Sequence, residues 1–569
     1  MMIRSLLLAT ALAAAPALAR DADAIWFGGP IITVDDKAPR AEAVAVKDGK
    51  ISAIGTKAAI LKAERGSATI LHDLGGKTLI PGFFDAHGHF SGVGVQALAA
   101  NLLPPPDGPA QSIPQIQAIM REYIAKSPVV KQYGIAIGFD YDDSQLAEKR
   151  APTRQELDAV STEIPIILTH QSGHLGAYNS KALAMAGITA DSANPSGGVI
   201  QREADGKTPN GVLEENAHNA ALGKLFPKLT PTDAMRIVTA AQAIYAANGY
   251  TTVQEGRADP GTLALLTGAS KAGKLDLDVV VYADLVTNAA NPALSGPLMA
   301  RTYANHLRIG GVKLTFDGSP QGKTAWFTKP YFHVPEGQSP TYNGYPSFPK
   351  TGEAAGWVDT AYKNNWQLMV HANGDAAIDE LIASVAAAQK ARSGTDRRTV
   401  LIHGQYLRPD QIPQLKALGI FPALFPMHTF YWGDWHRESV AGPARAEFIS
   451  PTGSVLKAGM KFSIHHDAPV TFPNSMRVYD SAVNRTTRTG HVLGPDQRIS
   501  PMSALKAMTI WPAYQHFEEA SKGSISVGKV ADLVVLDANP LTVPPATIKD
   551  IKVMETVKAG RTVYARPAG

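Results

Sequence analysis

Two histidines separated by one glycine, His87-Gly88-His89, close an apolar run that begins at Leu79. In an extended strand successive side chains point to opposite faces, so both imidazoles project to one side and can reach one divalent cation at about 2.0–2.1 Å. Gly88 keeps the backbone between them uncrowded. A single His-x-His is weak evidence, but other apolar runs carry or end in a metal-capable residue. Lys313 lies in Gly311-Val312-Lys313-Leu314-Thr315, His371 follows Leu368-Met369-Val370, and His403 follows Val400-Leu401-Ile402. Asp467 follows Phe462-Ser463-Ile464-His465-His466. Any one of these is an ordinary polar residue at a strand end; jointly they point to one site.

To share a site, residues so far apart in sequence need a framework whose strand ends converge. The second half of the chain alternates strand-like and helix-like segments. Strands are predicted at 251–255, 277–283, 307–315, 367–370, 399–402, 420–424 and 460–464, with helices such as 375–391 and 409–418 between them. Repeated β-then-α units imply a parallel sheet with crossover helices. The span accommodates a (β/α)8 barrel, which takes about 250 residues and opens every strand C-terminus on one face. Residues 92–225 read as an inserted α/β lobe, rich in Pro and Gly. Both ends of the chain are strand-rich: 43–46 and 51–54 flank an Asp48-Gly49 turn, and 523–536 and 553–564 mirror them. The expected division is a composite β-sandwich from 20–80 and 511–569, with a barrel at 81–510 that carries the metal-capable residues.

Composition sets the class. The chain has 569 residues, 45% hydrophobic and 18% charged, as in a globular protein of more than one domain. A net charge of +4 is too small at this size to suggest nucleic acid. Residues 1–19 have the form of a secretory signal: Arg4, an apolar run from Leu6, then Ala17-Leu18-Ala19. No later stretch reads as a membrane helix, and there are no cysteines. A periplasmic or secreted protein is expected, with no membrane association after the leader is removed; a homo-oligomer is compatible with all of this.

The motifs PGFFDAHGHF, GVKLTFDGSPQGKTA, VHANGDAAID, LIHGQYL, HHDAPV and GSISVGKVADLVVLDANP resemble those of the amidohydrolase superfamily. More narrowly they resemble its N-substituted formamide deformylase-like subgroup, over nearly the whole mature chain. The resemblance implies a barrel with a terminal β-sandwich. It implies a first metal held by His87, His89 and Asp467, and a second by His371 and His403. Lys313, carboxylated by CO2, would bridge two divalent ions, with zinc the favoured metal. A bare ammonium has no lone pair; the carbamate does, and it forms from the neutral amine that burial favours. The implied reaction is hydrolysis of a small-molecule amide, an N-acyl or N-formyl C–N bond. A metal-bound hydroxide attacks, and Asp467 carries the proton to the leaving nitrogen.

Substrate contacts are expected from His174, in a stretch resembling the subgroup's lobe motif, and from His428 and Trp432 in the aromatic stretch 425–436. Trp326 is a weaker candidate, and His466 stands where the subgroup usually has a small residue. The aromatic stretch suggests a pocket for a bulky leaving group. Two other readings stay open: a mononuclear deaminase of a cyclic amidine, and a non-catalytic periplasmic ligand-binding or regulatory protein. The first lacks a glutamate after His371, where the chain reads Ala372-Asn373-Gly374-Asp375, and leaves Lys313 without a task. The second would not need Asp467.

Overall fold

The metal-capable residues lie on or just after five of eight parallel strands in the computed structural model, which describes residues 21–335 and 337–567. The expected leader, 1–19, lies outside the described residues. The strands are β1 (Phe83–Phe84), β2 (Tyr250–Ala258), β3 (Asp278–Asp284), β4 (Leu307–Thr315), β5 (Gln367–Ala372), β6 (Val400–His403), β7 (Phe421–Leu424) and β8 (Ser463–Ile464). They pair in sequence order as one curled parallel sheet. Almost every strand residue is buried, which explains why the runs read as continuous Val, Ile and Leu rather than alternating. Helices fill the crossovers, among them Pro260–Lys271, Glu353–Lys363 and Asp375–Ala391. The first begins where it does because Asp259 caps the Thr262 amide and Pro260 follows without an N–H to leave orphaned. Just beyond β1 and β8 the two ends of the sheet approach each other. The Asp467 amide donates to the His87 carbonyl (3.1 Å) and the His89 amide to that of Ala468 (2.7 Å).

Strands from both chain ends form a second sheet of eight strands. Its hairpin, Arg40–Lys47 and Lys50–Gly55, turns at Asp48 and Gly49, both with positive φ (49° and 72°), as a two-residue Asp-Gly turn requires. Thr78–Pro81 joins the two ends, pairing antiparallel with Leu533–Leu536 and parallel with Ala24–Ile32. By hydrogen bonding this is one sheet with apolar residues on both faces: Trp26, Val44, Val46 and Leu79 on one, Ile25, Phe27, Ala43 and Ala45 on the other. A buried ionic network ties it to the start of β3. Asp278 receives Lys522 (2.7 Å) and Lys558 (2.5 Å), and Lys558 also meets Asp532 (2.9 Å). Glu518 pairs with Lys522 (2.7 Å) and with the fully buried Arg308 (2.6 Å).

A third sheet, of six strands between Ala100 and Glu215, lies within the segment expected as an inserted lobe. The aromatic stretch after β7, expected to line a substrate pocket, largely fastens this segment instead. Trp432 Nε1 donates to Asp142 (2.7 Å) and Tyr431 hydroxyl to Asp107, while Trp435 Nε1 donates to the Gln321 carbonyl (3.1 Å) in the loop after β4. No helix among the described residues is long and apolar enough to cross a membrane.

Candidate metal centre

His87, His89, Lys313, His371, His403 and Asp467 gather at the C-terminal end of the parallel sheet. Asp467 Oδ1 is 3.3 Å from His87 Nε2 and 3.2 Å from His89 Nε2, and its Oδ2 is 3.8 Å from His403 Nε2. His403 Nε2 is 3.1 Å from His371 Nδ1, and Lys313 Nζ is 3.0 Å from His87 Nε2. Two atoms bound to one ion at about 2.0–2.1 Å and a tetrahedral angle stand roughly 3.4 Å apart, so the His87–Asp467 and His89–Asp467 spacings suit a shared cation. Asp467 Oδ1 is buried without a hydrogen-bond partner, as is His403 Nδ1. A carboxylate oxygen buried without a donor is costly unless something positive lies beside it. The donor set, imidazoles with a carboxylate, fits a divalent transition ion.

The lone pairs are aimed by the next layer of residues. His516 Nδ1 donates to the Pro512 carbonyl (2.8 Å), leaving its Nε2 to accept from Gln254 Nε2 (3.0 Å). Gln254 Nε2 also donates to the Ala86 carbonyl (2.8 Å), so its oxygen is the atom that accepts from His87 Nδ1 (2.6 Å). That fixes the His87 proton on Nδ1 and turns the Nε2 lone pair into the site. On the other side His371 Nε2 lies 3.1 Å from the Gly318 carbonyl and 3.0 Å from the Asn373 side-chain amide; donation to that carbonyl leaves Nδ1 free to bind. Asp317 braces this wall by accepting from the amides of Trp326, Asn373 and Gly374 (3.0, 2.9 and 2.7 Å). Gly256 has no side chain for a physical reason: a Cβ there would lie 2.3 Å from His87 Cε1. A Cβ on Gly88 would lie 2.6 Å from Asp85 Oδ2. His403 and Asp467 both hold positive φ (71° and 55°), a strained backbone found where side chains must be re-aimed.

Burial pushes the Lys313 ammonium down to about 7, with Asp467 opposing the shift. The amine is therefore neutral far more readily than a surface lysine. Burial likewise holds His87, His371 and His403 well below the ordinary imidazole range, with Lys313 and the neighbouring imidazoles adding to it. All three rings are held neutral, each with one lone pair available to an ion.

A narrow cavity opens over these residues, lined by Ser172 and His174 and by His371, His403, His428 and Asp467. Burial alone would lower His174, but the Glu215 carboxylate at 2.7 Å outweighs it and holds the ring above its ordinary value. Three expected contacts lie elsewhere. The His466 ring points away from the cavity: Nδ1 accepts from the Ala468 amide (2.8 Å), and the ring packs on Tyr245 and Tyr250. Trp432 lies behind His428 and is committed to Asp142. Trp326 packs against the main apolar core. The residue near the centre is instead His465, its ring 5.3 Å from that of His87 and 5.1 Å from that of His403, both nitrogens buried without a partner. The alternation that pairs His87 with His89 also pairs His465 with Asp467, and that signal was present in the sequence.

Against known proteins, the chain is 27% identical to an N-substituted formamide deformylase from Arthrobacter pascens over 96% of its length and 98% of that protein. It is equally identical, at 27%, to the protein LONG AFTER FAR-RED 3 of Arabidopsis thaliana, covering 91% of this chain and 88% of that one. A crystal structure of a metal-dependent hydrolase from Pyrococcus horikoshii superposes with a TM-score of 0.72 at 23% identity, over 92% of this chain and 99% of that one, so the fold is shared. The profile of the amidohydrolase family matches residues 71–564, and the chain belongs to that family of hydrolases acting on carbon–nitrogen bonds.

Proposed function

We propose that the protein hydrolyses the amide of a small N-acyl or N-formyl amine, with two divalent ions held by His87, His89, His371, His403, Asp467 and a carboxylated Lys313. The observation that carries this reading is Asp467: a buried carboxylate oxygen with no hydrogen-bond donor, 3.3 Å from His87 Nε2, whose lone pair is turned into the site, and 3.2 Å from His89 Nε2. Bound ions supply Lewis acidity and bring the pKa of a water from 15.7 to about 7. Asp467, at the edge of the cavity, takes the proton of the attacking water and returns it to the leaving nitrogen. His174, biased toward its charged form by Glu215, and His428 hold the acyl oxygen or a substrate carboxylate from the opposite wall. The resemblance to a formamide deformylase favours a small acyl group. Zinc suits the ligand set.

The wider architecture belongs to the same reading. The paired backbones after β1 and β8 support a closed (β/α)8 barrel over 81–510, with the lobe at 92–225 inserted and the terminal sheet as a separate composite domain. A leader at 1–19 would deliver the enzyme to the periplasm or beyond. The test is a screen of N-formyl and N-acyl amines with and without a chelator, beside metal analysis. Asp467→Asn is expected to keep the fold and lose about 10²–10⁴ in kcat, the usual contribution of a positioned proton carrier. Full activity in that variant, or in the metal-free protein, refutes the assignment.

A further inference from the structure

His428 reaches the cavity at the end of a buried hydrogen-bonded chain. Tyr406 hydroxyl lies 2.8 Å from His436 Nδ1, and His436 Nε2 lies 3.0 Å from His428 Nδ1. The three groups are almost wholly enclosed: His436 and His428 are 0% and 2% exposed, Tyr406 9%. His428 also sits between the rings of Phe425 and Trp432, both 4.6 Å away, so it has little freedom to turn. His436 opens a short π-helix, His436–Val440, a widened winding that often accompanies functional positions.

The chain can run in only one direction without burying an unmatched proton. Each neutral imidazole has one donor and one acceptor, and a phenol has one proton to give. If Tyr406 donates to His436 Nδ1, then His436 Nε2–H donates to His428 Nδ1, and His428 carries its own proton on Nε2, facing the cavity. Every donor inside the protein is then matched. If the chain ran the other way, the Tyr406 proton would have no acceptor among the described residues, at a cost of about 1–3 kcal/mol. Burial holds His428 well below the ordinary imidazole range and His436 at about 3, so neither ring relieves the constraint by taking a second proton.

We infer that Tyr406 and His436 are positioning residues that lock His428 as a neutral Nε2–H donor aimed at the oxygen of the scissile carbonyl, where negative charge grows as the carbon becomes tetrahedral. The donor's target rests on the amide-hydrolase reading above; the tautomer itself does not. His428 makes the contact, and the other two act through it. A fixed N–H aimed at developing charge helps the transition state more than the ground state, because it needs no reorganisation during the reaction.

Two measurements on the full-length, metal-loaded protein test this. In the first, nitrogen NMR of ¹⁵N-histidine-labelled protein, with the His428→Gln variant used for assignment, reports which ring nitrogen bears the proton. Wild type is expected to show His428 protonated at Nε2 only, and Tyr406→Phe to show a mixture; a proton on Nδ1 in wild type overturns the inference whatever the enzyme's activity. The second is a double-mutant cycle on N-formyl amine hydrolysis. His428→Ala should lower kcat about 10²–10³-fold, the usual cost of one such donor. Tyr406→Phe should lower kcat about 10- to 100-fold, as when the partner of a working histidine is lost, with KM and metal content little changed. In the His428→Ala background Tyr406→Phe should cost nothing further. Equal losses in both backgrounds, or a silent Tyr406→Phe in an active enzyme, would show that Tyr406 serves only packing.

Discussion

Replacing Gln254 by leucine tests whether the residues behind the ligands set metal affinity. Leucine keeps much of the volume and removes three polar contacts: the acceptor for His87 Nδ1 at 2.6 Å and the donors to Ala86 and His516 at 2.8 and 3.0 Å. His87 is then left with a buried N–H lacking an acceptor, a penalty of about 1–3 kcal/mol. The ring can lower that penalty by moving its proton to Nε2, the nitrogen that must bind the ion. Either response weakens metal binding by about 10- to 100-fold, or roughly 1.4–2.7 kcal/mol. Competition against a fluorescent zinc chelator, with metal content measured by mass spectrometry, reads this directly. Gln254→Glu keeps an acceptor for His87 while losing the amide donors, so its affinity should lie above that of the leucine variant. An affinity in Gln254→Leu within about twofold of wild type would refute the orienting role and leave His87 aimed by packing alone.

Three further outcomes follow from the same geometry. Gly256→Ala places a methyl 2.3 Å from His87 Cε1, so the protein should be purified with depleted metal at near-normal yield, measured by elemental analysis. Lys313→Met removes the buried amine without leaving a charge; metal titration should then saturate with one ion fewer than wild type, and bicarbonate should no longer promote loading. Glu518 is held at about 2 in the fold, because Lys522 and Arg308 outweigh the burial that would raise it. Its ordinary value is 4.5, so its stabilising contribution is complete above that pH and fades as pH falls toward 2. Melting temperature should therefore drop steeply over that window. Glu518→Gln should flatten the drop and lower stability at neutral pH by about 3–5 kcal/mol, since the buried Arg308 loses its counter-charge and Lys522 keeps only Asp278.

The parallel strands and the histidines at their ends were legible because both signals are local: a continuous apolar run, then an imidazole. The helix predicted at 375–391 coincides with Asp375–Ala391 for the same reason. His466 was favoured over His465 because it departed from a family pattern, whereas two-residue alternation places His465 beside the centre. Gln254 and Asp317 act through contacts made across the sheet, and nothing in their immediate sequence marks a partner 167 residues away, as His87 is from Gln254. The aromatic stretch misled for a related reason: its bulk is visible in sequence, but the aspartates that claim Tyr431 and Trp432 lie some three hundred residues earlier.

The joining of both chain ends in one sheet has a consequence for synthesis. Thr78–Pro81 cannot acquire its antiparallel neighbour until Leu533–Leu536 has been translated, and His87 cannot meet Asp467 until most of the polypeptide exists. Such distant pairings carry a large loop-closure cost and form late. A nascent chain interrupted before Leu533 leaves the ribosome with an open sheet edge, and one interrupted before Asp467 also lacks a complete centre, so a truncated product is a substrate for proteases and chaperones rather than a slower enzyme.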